Sequence, residues 1–199
     1  MVRAGLIATA LLACSYNAPV EPEDGQTISD SLPDSAPPDT QPPDTGPVEF
    51  WTSVVGAEAN GNALTKTAPG IGWGDAGAST SRSVASGDCF VEFTTAESTT
   101  GKAVGLSRGD DSQSFNDIDF DLVLGANRKV YVYEGAVLRG QVSTYIANDV
   151  FRVEVVGGVV NYRKNNAVLL TSTLAPTYPL VVDTALFSPG ATIANVVFE

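Results

Sequence analysis

The chain has 199 residues, of which 23 are acidic and 11 are basic, and its net charge is −12 at neutral pH. It contains no histidine, which excludes Ser-His-Asp and Cys-His catalysis and any zinc site built on histidine. The sequence shows no basic patch, so it predicts no nucleic-acid partner.

The N-terminus begins with a largely apolar run that is too short to span a bilayer. Arg3 precedes residues 4–13, which end in Leu11-Leu12-Ala13 and are followed by Cys14. A membrane-spanning helix needs about 20 apolar residues. A positive residue, a short apolar segment and small residues before a cysteine together resemble a bacterial lipoprotein signal. That resemblance implies cleavage after residue 13, a diacylglycerol on the Cys14 sulfur, and a lipid-anchored protein of the cell envelope, at the outer membrane or cell surface.

Residues 14–49 have the composition of a tether. Ser15 to Glu49 contains eight acidic residues, eight of the twelve prolines and no lysine or arginine. Pro-Asp-Ser or Pro-Asp-Thr recurs every five residues, beginning at Pro33, Pro38 and Pro43. Few large apolar residues are present to offset the entropy of ordering, so the pattern predicts a disordered, extended segment. Its reach is on the order of 100 Å at about 3.1 Å per residue.

Residues 50–199 are sufficient for one domain with its own core. They contain fifteen acidic and ten basic residues, and their apolar pattern is that of short strands without sustained helical periodicity. We expect strands at 89–95, 103–107, 117–124, 129–134, 151–155, 159–163, 167–170, 180–187 and 192–198. Cys89 alternates with Val91 and Phe93, which predicts a buried, inert thiol.

Two short turns predict hairpins in the second half of this region. Gly157-Gly158 separates the strictly alternating Phe151–Val155 from the next apolar run, and Asn165-Asn166 precedes another. Many short strands separated by Gly, Asn and Pro are typical of an antiparallel β-sandwich or jelly roll.

Several of these segments resemble a SPRY domain. Ala103-Val104-Gly105-Leu106-Ser107 is similar to a SPRY strand, as is Asn148 to Val155, followed by Tyr162-Arg163-Lys164-Asn165 and, late in the chain, Tyr178-Pro179-Leu180. Asn148 and Asn166 stand where that family usually has glycine. The resemblance implies a concanavalin A-like sandwich that binds peptides through its loops. Segments 62–68 and 72–78 are also similar to repeats of bacterial surface proteins.

The clearest candidate for chemistry is Asp117-Ile118-Asp119-Phe120-Asp121. On a strand, the three aspartates share one face, and Ile118 and Phe120 lie on the other. One interpretation is a calcium site at Asp117, Asp119 and Asp121, completed by a loop over residues 108–116 that brings Asp110 and Asp111. A second is a concanavalin A-like glycoside hydrolase using Asp117 and Asp121, whose spacing is long for a retaining pair. The third is a solvated acidic face.

Aromatic residues offer candidate ligand contacts. Trp73 lies in a glycine-rich segment, where it can stack on a sugar or cover a sandwich edge, and Tyr131 and Tyr133 share one strand face. Trp51 is expected in the core. These features favour a non-enzymatic, lipid-anchored surface domain without catalytic residues, which binds a glycan or a protein or has a structural role in the envelope.

Overall fold

A computed structural model describes residues 49–199 of the chain, so the predicted signal (1–13), Cys14 and nearly all of the predicted tether lie outside the described residues. Residues 49–199 form fourteen strands and one short 3₁₀ turn at Phe115–Asp117. The strands are β1 (Trp51–Val55), β2 (Ala57–Asn60), β3 (Ala63–Lys66), β4 (Gly77–Thr80), β5 (Cys89–Thr94), β6 (Lys102–Ser107), β7 (Phe120–Leu124), β8 (Lys129–Glu134), β9 (Val137–Thr144), β10 (Phe151–Val156), β11 (Val159–Lys164), β12 (Ala167–Thr171), β13 (Val181–Leu186) and β14 (Thr192–Phe198).

The strands form two seven-stranded sheets, and every pairing is antiparallel. The first sheet has the order β1-β4-β13-β6-β7-β8-β9, and the second has the order β12-β11-β10-β5-β14-β3-β2. No α-helix among residues 49–199 is long and apolar enough to cross a membrane. The architecture confirms the predicted antiparallel β-sandwich.

One apolar cluster fills the space between the sheets. Alternate residues of β5, Cys89, Val91 and Phe93, are buried in it, and Trp51 at the start of β1 also belongs to it. The Cys89 thiol is buried, and its pKa is raised to about 11 by desolvation and by the nearby Asp88 carboxylate. The predicted burial of Trp51 and of the Cys89 thiol is therefore confirmed, and a thiol with so high a pKa is rarely ionised.

Both predicted hairpins are present with two-residue turns. β10 and β11 pair up to Val156 opposite Val159, and the intervening Gly157 and Gly158 have φ of 58° and 79°. The β11–β12 turn has Asn165 and Asn166 at φ of 48° and 68°. Positive φ at both central residues defines the turn type that matches the twist of hairpin strands, and asparagine tolerates it better than most residues.

The outer face of the first sheet, which points away from this core, carries a second, smaller apolar cluster. This cluster includes Ala103, Val123 and Ala185, which alternate along their strands with residues of the main core. Ile118, in the segment between β6 and β7, packs with them. Residues that lie outside the strands therefore cover part of this face. It is the region where most of the predicted site residues lie.

Candidate functional site

A row of cross-strand neighbours brings two aspartates together on this outer face. Gly105 in β6 is opposite Asp183 of β13 on one side and opposite Asp121 of β7 on the other. Ser79 extends the row beyond Asp183, and Tyr133 extends it beyond Asp121. Because directly opposed residues of antiparallel strands point to the same face, both carboxylates project from the outer face of the sheet.

A loop of residues 108–119, which we call the acidic loop, lies beside this row. Oδ2 of Asp117 accepts hydrogen bonds from the backbone N–H of Asp111 (3.0 Å) and Ser112 (2.7 Å), and Oδ1 accepts one from the Ser112 hydroxyl (3.2 Å). Oδ2 of Asp119 accepts one from the Arg108 N–H at 2.8 Å, which closes the base of the loop. Two carboxylates therefore fix the conformation of the loop through its own backbone.

Four aromatic rings cover the neighbouring part of the face. The Trp73 ring lies 4.9 Å from Phe115 and 5.0 Å from Phe187, and Phe115 lies 5.0 Å from Tyr133, measured between ring centroids. The Gly74 N–H donates to the Gln113 carbonyl at 3.1 Å, which joins the Trp73 segment to the acidic loop. These contacts hold the acidic loop against the sheet.

A buried lysine holds the Trp73 segment in place. Lys66, which is 2% exposed, donates from Nζ to the carbonyl oxygens of Gly72, Leu186 and Phe187 and pairs with Asp75. Its charge is thus met by a carboxylate and three carbonyl oxygens, as a buried cation requires. The glycine-rich segment around Trp73 is consequently tied to the end of β13.

The acidic loop and the end of the central strand β6 form a pocket of about 340 Å³. We call it the acidic pocket, and it is lined by Ser107, Arg108, Gly109, Asp111, Asp117 and Asp119. Beside it, one carboxylate oxygen from each of Asp110, Asp117 and Asp183 lies within 4.8 Å of the other two. The pocket thus offers carboxylate acceptors to a ligand, and the adjacent cluster offers oxygen ligands to a cation.

Two of the carboxyl groups in this region are buried without adequate partners. Asp183 is 1% exposed and Asp121 is fully buried, and neither Oδ2 of Asp183 nor either oxygen of Asp121 has a hydrogen-bond partner. Desolvation, followed by the charges of Asp110 and Asp117, raises the pKa of Asp183 to about 9. Desolvation also raises the pKa of Asp121 well above its ordinary value, and the Glu134 carboxylate adds to that shift.

The prediction that Asp117, Asp119 and Asp121 share one face of a strand is wrong in part. β7 begins at Phe120, and Asp117 ends a 3₁₀ turn that is capped by the Ser114 side chain. Ile118 packs in the outer cluster, whereas Phe120 belongs to the main core, so these two residues do not share a face as expected. The physical reason is that Asp117 bonds to the backbone of its own loop, which competes with strand pairing.

The aromatic candidates are placed in different surroundings. Trp73 is half-buried between Phe115 and Phe187 and packs on the outer face of the first sheet, so it covers a sheet face and not the expected edge of the sandwich. Tyr133 is half-buried against Phe115, while the Tyr131 hydroxyl accepts a hydrogen bond from Asn127 at 3.1 Å. These side chains form a cover beside the acidic pocket, and none of them lines it.

Sequence reasoning missed Asp183, which lies 66 positions beyond Asp117 in the chain. A single aspartate within the apolar run 180–187 was the available signal, because an unpaired acid in a buried strand is costly. Asp110 was expected only as part of a loop folding over the aspartates, and the structure places it in such a loop.

Comparisons with known proteins identify the fold. No protein-family model matches the chain, and no curated protein matches it. Among solved structures, it is similar to the metal-free carbohydrate recognition domain of Emp46p, with 12% identity, a TM-score of 0.59, and coverage of 76% of this chain and 88% of that one. It is similar to the carbohydrate-binding module CBM66 from Bacillus subtilis, with 15% identity, a TM-score of 0.52 and coverage of 77% and 97%.

A third similar structure is the SPRY domain of human HERC1, with 17% identity, a TM-score of 0.54 and coverage of 75% of this chain and 94% of that one. The SPRY-like, concanavalin A-like sandwich expected from the sequence is therefore confirmed. At such identities the similarity extends to the fold, and a fold alone does not determine what is bound.

Proposed function

We propose that this domain is a non-enzymatic binding module that recognises a neutral glycan at the acidic pocket. The observation that carries the proposal is a pocket at the end of β6 that is lined by three acidic residues, Asp111, Asp117 and Asp119. Sugar hydroxyls are donors, and hydrogen bonds to an ionised carboxylate are roughly twice as strong as neutral ones. The module is carried on a lipid anchor at Cys14 and displayed from the cell envelope by the tether at residues 14–49.

The charge and size of the pocket define the class of glycan. Its carboxylates repel uronic, sialylated or sulfated sugars, since like charges disfavour a partner. A volume of about 340 Å³ lies at the lower end of the range for ligand pockets. We therefore expect recognition of a short or terminal neutral unit. The carbohydrate-binding domains among the similar structures support this choice by analogy of fold.

The alternative of a glycoside hydrolase using Asp117 and Asp121 is opposed by the geometry. A hydrolase needs two carboxyl groups on either side of the scissile bond, both in contact with the substrate. Asp121 is fully buried, and the Asp117 carboxylate accepts three hydrogen bonds within its loop. A substrate in the acidic pocket therefore meets no such pair.

A protein ligand is the second candidate, and edge strand β9 favours it. Val137 and Leu138 at the start of β9 are 52% and 51% exposed, and β9 pairs only with β8 among the described residues. An extended peptide can add a strand to such an edge. In that case a Leu138→Lys variant loses binding to the protein ligand and keeps any glycan binding.

The deciding experiment is a glycan array probed with the purified full-length protein in millimolar calcium. We expect binding to neutral glycans and none to acidic ones. The Asp111→Asn variant should lose at least about tenfold in affinity, since a charge-assisted hydrogen bond contributes about 1.5 kcal/mol or more. Asp111 is exposed, so the fold should be unaffected. Glu58→Gln, an exposed acid on β2 of the other sheet, is the matched control. A preference for acidic glycans, or unchanged binding by Asp111→Asn, contradicts the proposal.

A further inference from the structure

Two carboxylates of the acidic loop and one from the distant strand β13 converge beside the acidic pocket. Asp110 comes from the acidic loop, Asp117 from the end of the 3₁₀ turn and Asp183 from the middle of β13. One oxygen of each lies within 4.8 Å of the other two. Uncompensated negative charges at such distances repel one another, and the repulsion grows where water is excluded.

Asp183 shows that this cluster is more than a group of solvated acids. It is 1% exposed, and its Oδ2 has no hydrogen-bond partner. An unpartnered buried carboxylate costs several kcal/mol unless a proton or a cation compensates it. Its position in the middle of a strand that pairs on both sides leaves it no freedom to move into solvent.

No lysine or arginine in the described part of the chain forms an ion pair with the cluster. Across residues 49–199, the ion pairs involve other acids: Asp75, Glu92, Glu97, Glu134, Asp149 and Glu154. Arg108 is the basic residue nearest in sequence, and only its backbone N–H is used, by Asp119. Within residues 49–199 no protein cation supplies the compensating charge, which leaves protons or a bound cation as its source.

The acidic loop is already folded around the cluster. Oδ2 of Asp117 holds the backbone of Asp111 and Ser112, and the Gly74 N–H holds the Gln113 carbonyl. Asp110 immediately precedes the segment bound by Asp117, so its position is set by the same hydrogen bonds. Little ordering entropy remains to oppose binding, which favours affinity.

We propose that Asp110, Asp117 and Asp183 bind a divalent cation, and that calcium is the cation that fits best. Calcium takes oxygen ligands at about 2.3–2.6 Å, so two ligands on opposite sides of the ion lie roughly 5 Å apart. Each pair of the three oxygens lies within 4.8 Å, which is inside that limit. Magnesium usually keeps several waters and binds through one or two carboxylates, so a set of three carboxylates favours calcium. Water and carbonyl oxygens complete the six to eight ligands of calcium.

This ligand set differs from the one expected from the sequence. Asp117 and the loop residue Asp110 are common to both. Asp119 instead uses Oδ2 to accept the Arg108 N–H, and Asp121 lies across Gly105 from Asp183. Asp121 therefore provides a matched control, because it is also a buried and unpartnered aspartate in the same row. The cation site goes beyond the proposed glycan binding and stands whether or not a glycan binds.

The test is a thermal melt of the full-length protein without any glycan, in EDTA and then with increasing calcium. Binding to the folded state alone raises the melting temperature by about 5–10 °C when calcium exceeds Kd by 100-fold. We expect a saturable rise with calcium and a smaller one with magnesium. A melting temperature that does not change in calcium overturns the proposal.

Three variants locate the site. Asp183→Asn should lose the calcium-dependent rise, yet melt in EDTA at or above the wild-type temperature, because a buried asparagine requires neither a proton nor a cation. Asp110→Asn, on the loop, should lose the rise and melt in EDTA at or slightly above the wild-type temperature, because one of the repelling charges is gone, and it keeps the test decisive if Asp183→Asn fails to fold. Asp121→Asn should keep the full rise. Retention of the rise in Asp110→Asn, or its loss in Asp121→Asn, overturns the assignment of ligands.

Discussion

Asp121 and Asp183 lie on opposite sides of Gly105 in one row of the first sheet, with both side chains on its outer face. The residue between them has no side chain, so no donor or bulky group separates the two carboxyl groups along the row. Both are buried, and both have raised pKa values. Glycine at position 105 thus allows two uncompensated aspartates to lie near each other, one on each of the two strands that flank β6.

We expect Gly105→Ala to destabilise the domain severely. A Cβ at this position would lie 2.1 Å from the Phe120 carbonyl oxygen and 2.8 Å from Asp121 Cα, and both are backbone atoms that cannot move aside. The expected loss is about 3 kcal/mol or more in the free energy of unfolding, at or beyond the upper end for overpacked sites. Urea denaturation measures it. Gly72→Ala is the control, because a Cβ there meets nothing within 4 Å.

The pH dependence of stability should reveal the buried carboxyl group of Asp121. Its folded-state pKa is raised above the unfolded value, so the folded state binds more protons between these two pKa values and stability falls as pH rises from about 4. The loss is at most about 1.4 kcal/mol per pH unit. Asp121→Asn should therefore be more stable than wild type at pH 7 and equal to it near pH 3. Denaturant titrations in EDTA at several pH values measure this difference, and a pH-independent difference would contradict it.

Local patterns were sufficient to predict much of the sandwich. β10, β11 and their Gly157-Gly158 turn were visible because alternation and positive-φ residues are encoded within a few positions of one another. β9 was missed because the apolar residues of Val137–Thr144 do not alternate with polar ones, and most of the strand is exposed. Its exposure is that of an edge, which is a property of sheet order and not of local sequence.

The candidate site was only partly predictable, for a related reason. The role of Asp117 depends on hydrogen bonds from the backbone of Asp111 and Ser112. The alternating spacing of the aspartates predicts a strand at this position and gives no sign of these bonds. Asp183 reaches the cluster through the pairing of β13 with β6, whose strands are separated by about eighty positions. Only the register of the sheet brings it next to Asp110, and one sequence does not reveal register between distant strands.

An internal ion pair gives an opposite dependence on pH. Lys102 is fully buried and pairs with Glu97, which also accepts hydrogen bonds from Thr100 and Thr192. Although burial opposes it, hydrogen bonding to Lys102 and these threonines lowers the Glu97 pKa to about 2. Stability from this group is therefore complete above pH 4.5 and is lost as pH falls towards 2. Glu97→Gln should cost about 3–5 kcal/mol at pH 7, since it leaves a buried ammonium without its partner.

The control for this pair is the double variant Glu97→Gln, Lys102→Met. Removing both charges eliminates the uncompensated ammonium, so the double variant should recover most of the stability lost by Glu97→Gln. Urea denaturation at pH 7 measures all three proteins. If the double variant is no more stable than Glu97→Gln, the cost came from the lost hydrogen bonds to Thr100 and Thr192 and not from the charge on Lys102.

The lipid anchor proposed at Cys14 is tested by replacing the acylated atom. Lipidation supplies about 0.8 kcal/mol per buried CH₂, and stable anchoring takes more than one acyl chain. The acidic domain offers no electrostatic attraction to anionic lipid, because residues 50–199 contain fifteen acids and ten bases. We therefore expect Cys14→Ser to move the protein from the membrane fraction to the soluble or unprocessed fraction on cell fractionation. Cys89→Ser, which changes the other cysteine, should leave the distribution unchanged, whereas a Cys14→Ser protein that stays in the membrane as fully processed chain refutes the anchor.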